Sequence, residues 1–392
     1  MLSSTQEQIL ADTAPIVAEH LETITARFYP LMFERYPEVN ALFNASHQAS
    51  GNQARALAGA VLQYVQLRSN PAEARAALST AIGKHISLGI QPDHYPIVGE
   101  CLMAAIGDVL GDAVTPDVAD AWEALYNELA GLLIDVEQQH YHDFANRPGG
   151  WQGRRAFRIR SRRPESAVIT SFELEPVDGE PVADFQPGQY IGVRLEINGE
   201  PVYRHYSLSD VPNGRTYRIS VKRESEGHAS RFLHDEAQNG LELELLPPAG
   251  ELTLTGQEPL LLISGGVGQT PMLPLAKQAL EQGRPVAYLH AARSRQHHAF
   301  SDEIQALQAQ YPEHFNPVVI YEEGDISEGA DAIGMIDQTL LSKHLPDPSV
   351  RCYFVGPEPF MQTVDAALEA LGVSESRRHY EHFGPARPLR AA

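Results

Sequence analysis

Cysteine is scarce in this sequence: only Cys101 and Cys352 occur among its 392 residues. Two distant thiols cannot form the disulfide framework of a small secreted protein, so a reducing compartment is expected. Long apolar runs are also missing, and no stretch approaches the roughly 20 residues of a membrane span. The N-terminal segment lacks the basic start and apolar run of a signal peptide. We therefore expect a cytoplasmic protein without integral membrane association, in which both cysteines are buried.

Positive charge is the second shortage. The chain has 30 Lys and Arg against 51 Asp and Glu, a formal net charge of −21. An acidic surface repels phosphate backbones and anionic lipids, which argues against nucleic acid or membrane surfaces as partners. Any anionic cofactor must therefore be held by local donors. The apolar fraction of 43% is that of ordinary globular proteins, and the length predicts two or three domains.

The first 144 residues show a helical pattern and almost no strand pattern. Apolar side chains recur three and four residues apart, as at Val61, Leu62 and Val65. Turn-forming pairs such as Asn70-Pro71 and Thr115-Pro116 separate the helical stretches. We predict an all-α domain of about six to eight helices over residues 1–147.

A breaker-rich stretch at residues 146–151 is the predicted linker. Six segments with alternating apolar and polar residues follow, from AFRIRSRR to LELELLPP. Such short strands, rich in β-branched and aromatic residues, predict a small antiparallel β-barrel over residues 148–257.

From residue 258 onward, apolar strands alternate with helical stretches. The strands are PLLLIS, VAYLHAA, FNPVVIY and RCYFVG. This alternation predicts a doubly wound α/β domain with a parallel sheet over residues 258–392. PLLLIS runs into a glycine-rich turn whose backbone could approach a pyrophosphate, and Pro271 suits a first helical turn. A tight connection without a ligand is the alternative.

The helical domain resembles the globin domain of flavohaemoglobins in the segments FYPLMFERYPEVNALFN, GNQARALAGAV and GKHISLGI, and from Tyr95 to Glu100. The resemblance implies a haem b site with His85 as the proximal iron ligand. The other residues that it implies are distal Tyr29 and Gln53, proximal Tyr95 and Glu137, Phe43 and Leu57 against the haem, and Lys84 towards the flavin side. Taken alone, His85 could be a structural histidine, Tyr29 a core aromatic and Glu137 a solvated residue.

These residue types suit oxygen chemistry. A carboxylate behind a proximal imidazole makes the ring more basic and favours oxygen activation over storage. A tyrosine hydroxyl and an amide can donate hydrogen bonds to bound oxygen. Pro30 follows Tyr29 inside a predicted helix, where it removes a backbone donor.

The segment Arg204-His205-Tyr206-Ser207 resembles the Arg-x-Tyr-Ser motif of the ferredoxin-reductase-like superfamily, with GQY before it and GHASRFLH after it. The resemblance implies that Tyr206 packs on the FAD ring, Ser207 bonds near its reactive nitrogen and Arg204 neutralises pyrophosphate. Donors at a helix opened by Gly227 and Ser230 would meet the phosphates. The implied FAD-binding residues are Tyr190, Arg204, His205, Tyr206, Ser207, Gly227 and Ser230.

Two further segments are similar to the same reductases. GVGQTP and the later VGP imply an NAD(P)H site at Gly266, Val267, Gly268, Gln269, Thr270, Pro271, Gly356 and Pro357. The C-terminal YEHFGP implies closure of the flavin site by Glu381, His382, Phe383, Gly384 and Pro385. By this resemblance Glu381 lies between flavin and haem, and Phe383 covers the ring. Val355 and His382 stand where the family often has cysteine.

Arg293-Ser294-Arg295 follows the second parallel strand, where doubly wound folds meet the adenosine ribose. Two guanidiniums there could receive a 2′-phosphate, so we expect both NADH and NADPH to be accepted. A basic loop that only faces solvent is the alternative.

The resemblance covers the whole chain and implies a monomeric, NAD(P)H-dependent nitric oxide dioxygenase. NAD(P)H reduces FAD, FAD reduces the haem iron, and ferrous-oxy haem converts nitric oxide and O2 to nitrate. The alternatives are a haem-based gas sensor or O2 carrier with an auxiliary reductase, and a hydroperoxide reductase. A storage globin has no need of Tyr95 and Glu137, and a sensor usually has an output module.

Overall fold

The computed structural model describes residues 2–43, 52–345, 347–384 and 389. Within residues 52–58, it describes only the side chain of Leu57. The chain forms two compact units: the first holds residues 1–146, 201–203 and 384–387, and the second holds the rest.

The first unit is helical, as predicted. Its described α-helices are α1 (Ser4–Glu19), α2 (Leu21–Arg35), α3 (Asn52–Leu67), α4 (Pro71–Leu88), α5 (His94–Leu110) and α6 (Pro116–Ala145), with 3₁₀ turns at Pro37–Leu42 and Gly111–Ala113. The side chains of Asn70 and Thr115 cap the starts of α4 and α6 and accept bonds from backbone N–H groups. Each is followed by a proline at the first helical position, where no backbone donor is needed. α2 runs through Pro30, whose ring is exposed.

The second unit begins with an antiparallel sheet, which we call the barrel lobe. Its strands are β1 (Arg155–Pro164), β2 (Ile169–Pro176), β3 (Tyr190–Ile197), β4 (Glu200–Ser207), β5 (Tyr217–Lys222) and β6 (Glu242–Leu245), and helix α7 (His228–Asp235) follows β5. They lie in the order β4-β3-β6-β1-β2-β5. A single bridge between Leu208 and Ile219 links the two ends of that order. All six predicted strands are present.

The parallel part of the second unit we call the sheet lobe. Its strands are β7 (Leu260–Gly265), β8 (Val286–Ala292), β9 (Phe315–Tyr321), β10 (Ala332–Ile333), β11 (Arg351–Val355) and β12 (Arg378–Tyr380). Its α-helices are α8 (Gln269–Glu281), α9 (Ser301–Gln310), α10 (Gln338–His344) and α11 (Glu358–Ala370). The order β10-β9-β8-β7-β11-β12 reverses direction at β7, as a doubly wound fold requires. β10, β12 and α10 were not predicted, because each is too short to show a periodic pattern of apolar residues in the sequence.

Two apolar layers cover the parallel sheet. One layer packs α8 and α9 against residues such as Leu262 and Tyr288, and it also contains Ile169 and Leu252 of the barrel lobe. The other packs α10 and α11 against residues such as Ile263 and Phe354. The two lobes therefore share a core.

Both cysteines are free and buried, as predicted. Among the helices of the described residues, none is long and apolar enough to cross a membrane.

Candidate functional site

The proximal histidine site is assembled from three helices. His85 on α4, Tyr95 on α5 and Glu137 on α6 meet at one carboxylate oxygen. Glu137 Oε1 lies 2.7 Å from His85 Nδ1 and 2.7 Å from Tyr95 Oη, and the two donors are 3.0 Å apart. Glu137 is 1% exposed, so its carboxylate must be satisfied by these donors. With Nδ1 engaged, Nε2 is the ring nitrogen that would bind a metal.

A second set of contacts fixes this triad. Tyr126 donates to the backbone oxygen of Tyr95 at 2.7 Å. A Cβ atom at Gly99 would lie 2.5 Å from the Tyr126 ring, so glycine is needed for that ring to pack against α5. Burial, followed by the Glu137 charge, raises the pKa of Tyr95, which keeps its hydroxyl a donor.

Aromatic side chains gather on the predicted distal side. The ring of Tyr29 lies 5.9 Å from Phe33 and 5.7 Å from Phe43, centroid to centroid, and Phe33 and Phe43 are 5.3 Å apart. Burial raises the pKa of Tyr29, so its hydroxyl remains a hydrogen-bond donor. Leu57 is half-buried on α3, and Lys84 is half-buried beside His85. The backbone of Gln53 is helical, but its side chain lies outside the described residues.

The predicted flavin residues lie on neighbouring parts of the barrel lobe. Tyr190 on β3 meets His205 on β4 in an edge-on contact with ring centroids 5.5 Å apart. Gly250 permits a close approach here: an added Cβ would lie 2.8 Å from the Tyr190 ring and 3.5 Å from Glu381 Oε1. Gly250 thus adjoins both β3 and the C-terminal segment that carries Glu381.

The rest of the β4 motif carries buried polar groups. Ser207 is 6% exposed, and its hydroxyl has no hydrogen-bond partner among the described residues. Burial lowers the pKa of Arg204 and raises that of Tyr206 to about 12. A buried hydroxyl with spare hydrogen-bonding capacity and a guanidinium on the same strand fit a polar, anionic cofactor such as FAD.

Gly227 and Ser230 do open a helix, because α7 begins directly after Gly227. The Ser230 hydroxyl accepts from the Glu224 N–H at 3.2 Å and donates to the Gly227 carbonyl at 3.3 Å. An added Cβ at Gly227 would come within 2.2 Å of this hydroxyl. These contacts hold the loop closed ahead of the helix.

The glycine-rich turn after β7 is held by close backbone approach. An added Cβ at Gly268 would lie 2.1 Å from the carbonyl oxygen of Val355, at the end of β11. Gly266 has a φ of 55°, which favours glycine. Thr270 closes the turn by donating to the Val267 carbonyl at 2.9 Å, and α8 starts at Gln269. Strand, glycine turn and helix fit a dinucleotide phosphate.

The second half of this site begins where β11 ends. An added Cβ at Gly356 would lie 2.5 Å from the Phe360 ring, and one at Gly265 would lie 3.2 Å from the same ring. Pro357 caps the start of α11. The carboxyl ends of β7 and β11 are thereby packed around one aromatic ring, with Pro271 in the first turn of α8.

A polar layer beneath the glycine turn was missed by the sequence reasoning. Ser264 Oγ lies 2.9 Å from His290 Nδ1, the His290 and His298 rings are 5.1 Å apart, and His298 Nδ1 lies 3.1 Å from Tyr321 Oη. Burial lowers the pKa of His298 to about 4 and also lowers that of His290. The available signal was polar residues inside otherwise apolar strands.

Arg293 and Arg295 lie in the loop after β8. Arg293 Nε is 4.0 Å from Glu323 Oε1, and both side chains are largely exposed. Arg295 donates to the Glu328 carbonyl at 3.4 Å. Both arginine side chains are thus accessible, and their contact with a 2′-phosphate stays a prediction.

The C-terminal motif is described up to Gly384. Phe383 is 48% exposed, and the His382 ring meets Tyr380 edge-on with centroids 5.6 Å apart. Pro385 lies outside the described residues. The predicted closure of the flavin site by this motif stays a prediction.

Family models match all three regions of the chain. A model described as Globin matches residues 26–133, an oxidoreductase FAD-binding domain matches residues 157–254, and an oxidoreductase NAD-binding domain matches residues 262–366. Haem, FAD and NAD(P)H are the cofactors that these domain families imply, as the sequence predicted.

Two relatives match along the whole chain. A flavohemoprotein from Pseudomonas aeruginosa is 47% identical, covering 100% of both chains, and one from Pseudomonas putida is 46% identical over 99% of this chain and 100% of its own.

Among solved structures, a flavohemoglobin from Malassezia yamatoensis with bound FAD and heme is 29% identical, with a TM-score of 0.87 over 98% of this chain and 100% of that chain. The FAD/NAD-binding domain of a nitric oxide dioxygenase from Vibrio cholerae is 39% identical, with a TM-score of 0.55 over 59% of this chain and 99% of that one.

Proposed function

Because the chain belongs to the flavohemoprotein family, as flavohaemoglobins are also named, we propose that it is a nitric oxide dioxygenase driven by NAD(P)H. Its net reaction takes nitric oxide and O2 to nitrate, with electrons passing from NAD(P)H through FAD to haem. The observation that carries the proposal is the shared Glu137 oxygen, which anchors both His85 and Tyr95. Storage of oxygen does not require a carboxylate behind the ligand.

When bound, haem supplies an iron for oxygen chemistry, and FAD divides the two electrons of NAD(P)H into single steps. His85 Nε2 would hold the iron. Glu137 accepts a hydrogen bond from the Nδ1–H group and thereby makes the imidazole a stronger electron donor to a metal at Nε2. Tyr29 and Gln53 would donate hydrogen bonds to a ligand of the iron, and Phe43 and Leu57 would exclude water.

In the barrel lobe, Arg204 would balance the pyrophosphate charge of FAD, and the buried Ser207 hydroxyl would donate to the flavin ring. Tyr190, His205 and Tyr206 would pack around the cofactor. In the sheet lobe, the turn at Gly266–Thr270 would place its backbone donors and the α8 N-terminus against the NAD(P)H pyrophosphate.

O2 and nitric oxide are the substrates, and the protein acts as a monomer in the cytoplasm without a nucleic-acid partner. The domain limits are 1–147, 148–257 and 258–392. By the family resemblance, Glu381 and Lys84 would serve electron transfer from flavin to haem, and Phe383 would shield the flavin ring.

Both nicotinamide cofactors are expected to serve. The exposed Arg293 and Arg295 could bind a 2′-phosphate. The carboxylate of Glu323, 4.0 Å from Arg293, would compete for that arginine. The double substitution Arg293→Ala/Arg295→Ala should raise the KM for NADPH more than that for NADH in steady-state assays. Equal changes for both cofactors, or none, would remove this assignment.

Rapid mixing tests the reaction itself. Protein that has been reduced and equilibrated with O2 is mixed with nitric oxide in a stopped-flow instrument. Nitrate formed in amounts equal to the protein within the mixing time supports the dioxygenase. Retention of nitric oxide without nitrate would favour a gas sensor, and turnover of an organic hydroperoxide alone would favour a peroxide reductase.

A further inference from the structure

Four charged side chains connect the two lobes of the second unit. Arg218 and Asp210 belong to the barrel lobe, and Lys277 on α8 and Glu303 on α9 belong to the sheet lobe. The two terminal nitrogens of the Arg218 guanidinium donate to Glu303: Nη1 lies 2.5 Å from Oε1, and Nη2 lies 3.3 Å from Oε2. Lys277 Nζ lies 2.7 Å from Asp210 and 2.7 Å from Glu303. We call these four residues the interlobe cluster.

The interlobe cluster carries no net charge and is largely shielded from water. It contains two cations and two anions, and the side chains of Arg218, Lys277 and Glu303 are 15%, 18% and 17% exposed. Although burial opposes the charged form, the hydrogen bond from Arg218 keeps the pKa of Glu303 below its ordinary value. Bidentate, partly desolvated pairs have defined geometry, unlike solvated surface pairs.

A strained residue supports the same contact. Phe300, just before α9, has a φ of 59° and is 1% exposed. Bulky residues rarely adopt this left-handed conformation, and it persists only where the surrounding structure holds it. The Arg218 guanidinium lies 5.5 Å from the centre of the Phe300 ring. The strain therefore places an aromatic face from the sheet lobe against the arginine of the barrel lobe.

The cluster sits on the elements that carry both cofactor motifs. Asp210 follows the β4 motif at Arg204–Ser207 by three residues, and Arg218 also donates to the carbonyl of Ser209. Lys277 lies on α8, the helix that opens from the glycine turn. The Lys277–Asp210 pair thus ties the segment after the flavin motif to the helix after the nucleotide motif.

We propose that Arg218, Lys277, Glu303 and Phe300 are positioning residues that hold FAD and NAD(P)H at the distance needed for hydride transfer. In that step the nicotinamide loses a hydride and becomes NAD(P)+, and the flavin accepts that hydride with both of its electrons. The inference rests on the proposed function, since it assumes that NAD(P)H reduces FAD. A shift of about 1 Å between reacting groups can cost about a hundredfold in rate.

The test removes the charged contacts between the lobes, together with the Lys277–Glu303 pair inside the sheet lobe. The double variant Lys277→Gln/Glu303→Gln deletes one cation and one anion from the sheet lobe, and it leaves Arg218 beside Asp210, 3.6 Å away within the barrel lobe. Flavin reduction is followed by anaerobic stopped flow at saturating NADH. We expect the rate to fall about tenfold to a hundredfold, with weaker nicotinamide–flavin charge-transfer absorption and unchanged FAD content.

A readout independent of turnover accompanies the rate. Hydrogen–deuterium exchange should speed up in α9 and in the segment from Ser209 to Arg218, and not in β1 or β2. The matched control Arg158→Gln/Glu175→Gln removes a cation and an anion that pair at 2.7 Å inside the barrel lobe. It should leave the rate, the absorption band and the exchange unchanged. Lys277→Arg keeps the positive charge between Asp210 and Glu303 and should retain more of the rate than the double variant.

The outcomes separate this inference from the proposed function. An unchanged reduction rate and band in a folded double variant would overturn it, as would equal slowing in the control. Loss of FAD in step with the rate would also overturn it, because the residues would then serve only the fold. Failure of NADH and NADPH to reduce the wild-type flavin would instead refute the proposed function.

Discussion

The proximal histidine site and the dinucleotide turn are built in opposite ways. At His85 three side chains from three helices converge on a single oxygen of Glu137. At Gly268 the site exists because a side chain is missing, and the backbone approaches Val355 more closely than a Cβ would allow. The first site depends on the hydrogen-bonding groups of its side chains, and the second depends on the space left by the missing Cβ atom. Substitutions should therefore act by charge and ligation in one region and by steric displacement in the other.

The largest effect is expected from His85→Ala. It removes the nitrogen that would hold the iron, so the purified variant should contain no haem in its absorption spectrum. NADH-driven reduction of ferricyanide should remain close to wild type, since the flavin and nucleotide sites lie in the other unit. Loss of both activities together would contradict the separation of the two regions.

Gly268→Ala should reverse that pattern. The added Cβ would lie 2.1 Å from a backbone oxygen, which no side-chain rotation can relieve. We expect kcat/KM for NADH with ferricyanide to fall by about a hundredfold or more, while haem content stays normal. Gly131→Ala is the control, because a Cβ there meets nothing within 4 Å. Normal kinetics in Gly268→Ala would show that the turn can yield.

Glu137→Gln separates charge from shape at the proximal site. Glutamine keeps an oxygen for Tyr95 and His85 but removes the negative charge, so the imidazole becomes a weaker donor. The haem reduction potential should rise by about 60 mV, which corresponds to tenfold for one electron. Spectroelectrochemistry measures this. Glu128 lies on α6 like Glu137 and accepts a hydrogen bond from Tyr64 of α3, and Glu128→Gln should leave the potential unchanged.

The smallest effect concerns acid stability beneath the dinucleotide turn. His298 has a folded pKa of about 4, below its unfolded value, so the folded state binds fewer protons between these values. Its contribution favours folding above the unfolded pKa and is lost as the pH falls towards 4. Between pH 7 and pH 5 this amounts to about 2 kcal/mol.

Calorimetry of the full chain at pH 7 and pH 5 measures this effect. The transition of the second unit should shift less in His298→Gln than in wild type. Equal shifts in the two proteins would show that His298 does not titrate in this range.

The predictability of the two regions differs for the same physical reason. His85, Tyr95 and Glu137 were predicted because the resemblance covers their segments, and the structure brings them within hydrogen-bonding distance. The glycine turn was predicted from its strand–turn–helix pattern. By contrast, the Ser264–His290–His298 layer and the interlobe cluster join residues from separate elements. Polar residues inside apolar strands mark the first set only as unusual, and no local pattern identifies the partners. The pairing of β7 with β8 joins Ser264 to His290, and the packing of α8 and α9 against the barrel lobe assembles the interlobe cluster.

The most direct test of the central claim follows oxygen atoms from substrate to product. The wild-type protein turns over nitric oxide and NADH under ¹⁸O2, and the nitrate is analysed by mass spectrometry. A dioxygenase places both labelled atoms of one O2 in each nitrate, so doubly labelled nitrate is the expected product. Unlabelled or singly labelled nitrate, or NADH oxidation without nitrate, would contradict the claim.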